Sequence, residues 1–266
     1  MRSLSTFAEG LDHPEGLAFD ADGNLWCGGE SGQVYRISPD GTIIEIVAQV
    51  GGFCLGLAFS PGGDLFICNH KLSAIIRLNP QTLKHRIWAR KAGGLPIRVP
   101  NSLVFDRQGN LYVSDSGDWG KATGAIYRFD SHGRGVVWQR GLHYANGLAL
   151  DAEETSLYVV QSTKDNVLSL PILPDGSAGR PKIHAANLTY VPDGLTFDAS
   201  GNLYVCCYGN SRIYRVTPAG ERQIVAEDTQ GVRLNRPTNL AFQRPRFNRL
   251  MVANLGGCHI TAINLP

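Results

Sequence analysis

Six times along the chain a short phrase returns, and at four returns one position carries a carboxylate or amide oxygen. The phrases are PEGLAFDADGNLW, CLGLAFSPGGDLF, PNSLVFDRQGNLY, ANGLALDAEETSLY, PDGLTFDASGNLY and PTNLAFQRPRFNRLM. Aligned on their apolar cores, their second residues are Glu15, Leu55, Asn101, Asn146, Asp193 and Thr238, separated by 40, 46, 45, 47 and 45 residues. Two carboxylates brought together with two amides nearly offset a divalent charge. Their all-oxygen shell favours calcium, magnesium or manganese over zinc. Leu55 and Thr238 interrupt the set and leave room for water or a substrate, as metal-assisted catalysis requires. The competing explanation is that Asn and Asp turn the chain where each strand begins. That accounts for one or two such residues, but not for Glu15 or for apolar Leu55 at the same phase.

Convergence of these residues needs a fold that repeats around an axis, and a fixed period of this size is the mark of a repeat architecture. Each unit reads strand, turn, strand: GLAFD, then ADG or RQG, then NLWCGG or NLYVSD. A third β segment follows (QVYRIS, AIIRLN, AIYRFD, NVLSLP, RIYRVT, HITAIN), and in most units a fourth, such as TIIEIVA, RGVVWQR or ERQIVAE. The expected fold is all-β, a six-bladed β-propeller forming a single domain over residues 1–266. The last repeat stops after its third strand, HITAINL, so the N-terminal LSTFAE is expected to close that blade. Such closure removes open sheet edges. A solenoid of equal period would need a capping repeat, and none is visible.

The propeller topology locates the face. The phased residues begin the innermost strands, so the ends of the antiparallel second strands lie beside them: Gly29, Asn69, Asp115, Gln161, Cys207 and Asn254. The DADG and DRQG turns fall on the opposite face. Residues 114–124, SDSGDWGKATG, form the longest loop on the phased face, with glycines and Trp119 suited to a flexible lid. Substrate contacts are expected from Asp115, Asn254, Trp119 and His143. His13, His70 and His259 lie near the same face, where surface or packing roles are the ordinary ones.

Composition narrows the classes. The 25 basic and 23 acidic residues give a net charge of +2, which predicts no nucleic-acid partner. Arg233, Arg236, Arg244, Arg246 and Arg249 read as a solvated face of loops and turns. No apolar run reaches the roughly 18–20 residues that span a bilayer, and MRSLSTFAEG lacks a secretory core. Cys27, Cys68 and Cys206 recur at nearly equivalent positions in different repeats, where Ser114 and Ala253 stand elsewhere. That is the pattern of a small packing residue, and it favours a reducing cytoplasm. No Ser-His-Asp order, GxSxG elbow, phosphate loop or dinucleotide fingerprint is present.

The chain resembles the gluconolactonase/regucalcin (senescence marker protein-like) family of six-bladed propellers, which also includes diisopropyl fluorophosphatase-like enzymes. PEG at Glu15, RVPNSLVFD with GNLYVSDSG around Asn101, ANGLAL at Asn146 and PDGLTF at Asp193 carry the resemblance, in that order and at blade spacing. It implies that Glu15, Asn101, Asn146 and Asp193 ligate one divalent cation, Ca2+ first and Zn2+, Mg2+ or Mn2+ otherwise. It also implies that Asp193 serves as base or nucleophile. Ser102 stands where gluconolactonases often have Asp, and SDSGDWG departs from their TDP-type segment. The expected activity is metal-dependent opening of a lactone or related ester, with a small-molecule substrate and no membrane partner. The alternatives are phosphotriester hydrolysis at the same ion and a non-catalytic NHL-type binding propeller.

Overall fold

Each repeat forms one four-stranded antiparallel sheet in a computed structural model that describes residues 3–243 and 248–265. Arg244 and Arg246 lie outside the described residues. The innermost strands are Leu17–Phe19, Cys54–Phe59, Pro100–Phe105, Ala145–Leu150, Pro192–Phe197 and Pro237–Phe242. Each packs against the next, and the sixth meets the first, so the sheets stand around one axis. In the sixth sheet Leu4–Glu9 pairs with His259–Asn264, running from Leu4 opposite Ile263 to Glu9 opposite His259. The N-terminal strand therefore closes the last blade, as the truncated sixth repeat requires.

The blades are held apart and in register by one aromatic pattern. In four of the six blades the aromatic of the NLW, DLF, SLY or NLY motif meets the aromatic that ends the neighbouring blade's innermost strand. Trp26 meets Phe59 edge-on at 5.7 Å between ring centroids. Phe66 meets Phe105 at 5.0 Å, Tyr158 meets Phe197 at 4.9 Å and Tyr204 meets Phe242 at 5.2 Å, all T-shaped. Each such pair adds about 0.5–1.5 kcal/mol beyond the area it buries.

A second feature sets the axis itself. In blades two to five the ladder skips: Pro100 faces Asp115 and Leu103 faces Val113, so Asn101 and Ser102 together oppose Ser114. The same two-against-one bulge holds Leu55 and Gly56, Asn146 and Gly147, and Asp193 and Gly194. A bulge re-aims side chains out of the pleat, and here the re-aimed residue is the phased one. The residue after it must be small because the next blade's backbone presses on it. A Cβ on Gly16 would sit 2.2 Å from the Leu55 carbonyl oxygen; on Gly147, 2.6 Å from that of Asp193; on Gly194, 2.5 Å from that of Thr238. Cys68, Ser114 and Cys206, the recurring small residues, stand opposite these bulges and are fully buried. The Ser114 hydroxyl accepts from the Ser102 N–H at 2.9 Å, and the Cys206 thiol lies 3.5 Å from the Gly194 carbonyl.

Candidate metal centre

Glu15, Asn101, Asn146 and Asp193 are all buried, each at the head of its blade's innermost strand. Glu15 and Asp193 belong to blades one and five, yet each carboxyl lies within the other's electrostatic reach across the axis. Burial pushes the Glu15 carboxyl up from 4.5 to about 7. Asp193 is pushed well above the usual carboxylate range, by burial first and by Glu15 second, with Asn146 acting in the opposite direction. Among the described residues, no lysine or arginine is one of the groups that set either ionisation. Asn146 donates its amide N–H to the Ser162 hydroxyl at 3.1 Å, and that hydroxyl donates to the Pro192 carbonyl at 2.7 Å. These two bonds fix the amide with its oxygen free to act as a ligand.

Two buried acids without a counter-charge are costly, and a divalent cation is the group that would offset both. The donors fit one: two carboxylates and two amide oxygens, all hard, with neither Glu15 nor Asn101 spending its side chain on another described residue. Thr238 completes the layer structurally, donating its hydroxyl to the Glu15 carbonyl at 3.2 Å.

The ring at the ends of the second strands has a different job. Asp115 accepts from the backbone N–H groups of Arg98 at 2.7 Å, Val99 at 3.1 Å and Gly117 at 3.3 Å. Asn254 is fully buried; it accepts from the Asn235 N–H at 2.9 Å and donates to Val252, His259 and Thr261. Asn69 and Gln161 bond their own approach loops in the same manner, to Gly51 and His143. Asp115 and Asn254, expected to contact substrate, thus hold the loops that lead into the innermost strands, and Asn254 has no polar atom left over. His259 is likewise engaged, its ring nitrogens 2.9 and 3.0 Å from the Gly257 and Arg233 carbonyls.

Above the ring, Trp119 is 57% exposed and its ring meets Tyr144 edge-on at 4.7 Å. Tyr144 precedes Asn146 by two residues, with φ at +57°, and its carbonyl accepts from the Ser162 N–H at 3.2 Å. Burial pushes its phenol up, as do Asp193 and Glu15. Tyr144 is absent from the residues expected from sequence, where its only signal is its place two residues ahead of a phased amide. His143 is half-buried beside it. Farther out, Asp12, His13 and Glu30 form a second, half-buried group whose ligand atoms lie within 4.8 Å of one another. His13 Nδ1 is 2.9 Å from Asp12 and 3.5 Å from Glu30, and Lys71 approaches Glu30 at 4.0 Å. Below the glycine layer, a cavity of about 1130 Å³ follows the axis to the turn face, walled by Leu57, Leu103, Leu148, Leu195 and the aromatics beneath them.

Among known proteins, a gluconolactonase of Zymomonas mobilis is 28% identical over 187 residues, covering 62% of this chain and 52% of its own. The chain spans about half the length of this relative and of two strictosidine synthase-like proteins of Arabidopsis thaliana, 52% to 56%. Two solved structures share the fold over 99% of the chain. A gluconolactonase from Xanthomonas campestris superposes with a TM-score of 0.83 at 23% identity, covering 89% of its own chain. A calcium-binding regucalcin from Agrobacterium tumefaciens gives 0.83 at 17%, covering 94%. At such identities the likeness establishes the fold alone. Residues 1–37 match a strictosidine synthase-like N-terminal profile. The profile described as SMP-30/Gluconolactonase/LRE-like region matches residues 48–255, from the outer strand of the first blade into the sixth, and the chain belongs to that family.

Proposed function

We propose that the chain is a divalent-metal-dependent lactonase, working as one propeller domain, with Glu15, Asn101, Asn146 and Asp193 as the ligands of a calcium ion. The observation that supports this reading is the pair of buried carboxyls, Glu15 and Asp193, the first bearing on the second, with no lysine or arginine of the described residues acting on either. When bound, the cation supplies the positive charge that polarises an ester carbonyl. Asp193 takes the proton of a water molecule that adds to the carbonyl carbon. As the ring C–O bond breaks, the same proton passes to the departing oxygen and a hydroxy acid leaves. Glu15 contributes charge to the ion and Asn146, oriented by Ser162, a neutral oxygen. Asp115 positions Asn101 indirectly, through the loop it holds. Gluconolactonase is what the Zymomonas mobilis and Xanthomonas campestris relatives are named, and a lactone substrate for this chain is carried over from them as a proposal. The free thiols at all six cysteines suit a cytoplasmic setting.

A panel of sugar lactones, aliphatic lactones and phosphotriesters, assayed after chelation and again with added calcium, zinc, magnesium or manganese, tests the reading. Lactone opening that is lost on chelation and restored by a divalent ion is expected. Turnover indifferent to chelation contradicts metal dependence, and phosphotriester turnover alone reassigns the substrate.

A further inference from the structure

Two residues ahead of the axial ring, each blade places one residue on the rim: His13, Phe53, Val99, Tyr144, Val191 and Arg236. Three of these six have polar heads, and two are engaged. His13 is held between Asp12 and Glu30. Arg236 lies over the Tyr208 ring, 5.6 Å from its centroid, and donates to its hydroxyl at 3.4 Å. The Tyr144 hydroxyl is the one rim donor with no hydrogen-bond partner among the described residues.

We propose that Tyr144 touches the substrate, its phenol donating a hydrogen bond to the acyl oxygen of the bound ester while Trp119 holds the ring in place. The inference rests on the lactonase reading and deepens it by naming the donor. Tyr144 has little freedom to swing away. Its backbone is in the left-handed region, which non-glycine residues rarely occupy. Its carbonyl is tied to the N–H of Ser162, whose hydroxyl also receives the Asn146 amide. One residue therefore sets both the phenol and a proposed ligand of the ion. The Trp119 edge closes the other side at 4.7 Å. Asn146 heads the innermost strand of blade four, which packs directly against the strand of blade five that Asp193 heads, so an ester held at Asp193 can turn its acyl oxygen to the Tyr144 side. A donor already in place where negative charge develops stabilises the transition state without reorganising. The proton stays on the phenol throughout.

The test uses the calcium-loaded full chain, with gluconolactone and γ-butyrolactone as substrates. Tyr144→Phe keeps the ring against Trp119 and removes only the hydroxyl. It is expected to lower kcat about 10- to 100-fold, with KM, calcium affinity and thermal midpoint nearly unchanged. A kcat within about twofold of wild type, or a loss that tracks weaker calcium binding, overturns the proposal. If the wild type opens no lactone, the activity reading fails separately. The proposal is then judged by binding of 4-hydroxybutyrate, followed by indole fluorescence and assigned with Trp119→Leu. About tenfold weaker binding by Tyr144→Phe supports the contact; equal affinity, or no binding by the wild type, overturns it.

Discussion

Replacing Glu15 by Gln should stabilise the metal-free protein at pH 8 while destroying its response to calcium. In the unfolded chain this carboxyl releases its proton near 4.5, whereas the fold retains it to about 7. Between those values the unfolded state binds fewer protons than the folded one, so metal-free stability falls as pH rises. The difference amounts to about 3 kcal/mol, fully expressed above pH 7. Asp193 moves in the same direction and steepens the decline. The amide keeps the size and polarity of the glutamate side chain without its charge. Chemical denaturation at pH 5 and pH 8, with chelator and with saturating calcium, measures each quantity. With chelator, Glu15→Gln should exceed the wild type by about 3 kcal/mol at pH 8, or roughly 6–12 °C in thermal midpoint, and by little at pH 5. Calcium at about 100 times its dissociation constant should return about 2.7 kcal/mol to the wild type and much less to the variant. A variant that is less stable than the metal-free wild type at pH 8 would refute the claim of an uncompensated buried charge.

Asp193→Asn, assayed at saturating calcium, should lower lactone turnover by about 10²-fold; near-wild-type turnover excludes Asp193 as the base. Gly194→Ala drives a methyl to 2.5 Å from the Thr238 carbonyl oxygen and 2.7 Å from the Asn239 Cα. It should cost about 1–3 kcal/mol and weaken calcium binding through the adjacent Asp193. Gly62→Ala meets nothing nearer than the Ser60 hydroxyl at 3.9 Å and should stay within about 0.5 kcal/mol of wild type. Asp115→Ala leaves three backbone N–H groups without their acceptor and should cost about 2–4 kcal/mol in urea denaturation. A neutral result there would remove its loop-holding role.

The period made the blades and the phased ring legible, because a side chain repeated at one register of an inner strand has to approach the axis. The glycines after Glu15, Leu55, Asn146 and Asp193 carried a further signal, since only a small residue tolerates the next blade's carbonyl there. Asp115 and Asn254 were harder to read. A polar residue at the end of a strand looks the same in sequence whether it faces a ligand or ties down its own approach loop, and here the hydrogen bonds go to the loops. Tyr144 left almost no trace, because its position depends on a left-handed backbone that tyrosine rarely adopts and on Trp119, 25 residues earlier in the chain. The loop conformation decides that contact, and nothing in the repeat encodes it.

The central claim is that one cation sits where the four phased oxygens meet. Anomalous diffraction from crystals grown with calcium tests it most directly. A single peak on the propeller axis, with oxygens of Glu15, Asn101, Asn146 and Asp193 at about 2.3–2.6 Å, is the predicted result. An axis without a peak, or a peak only among Asp12, His13 and Glu30 on the rim, would contradict it.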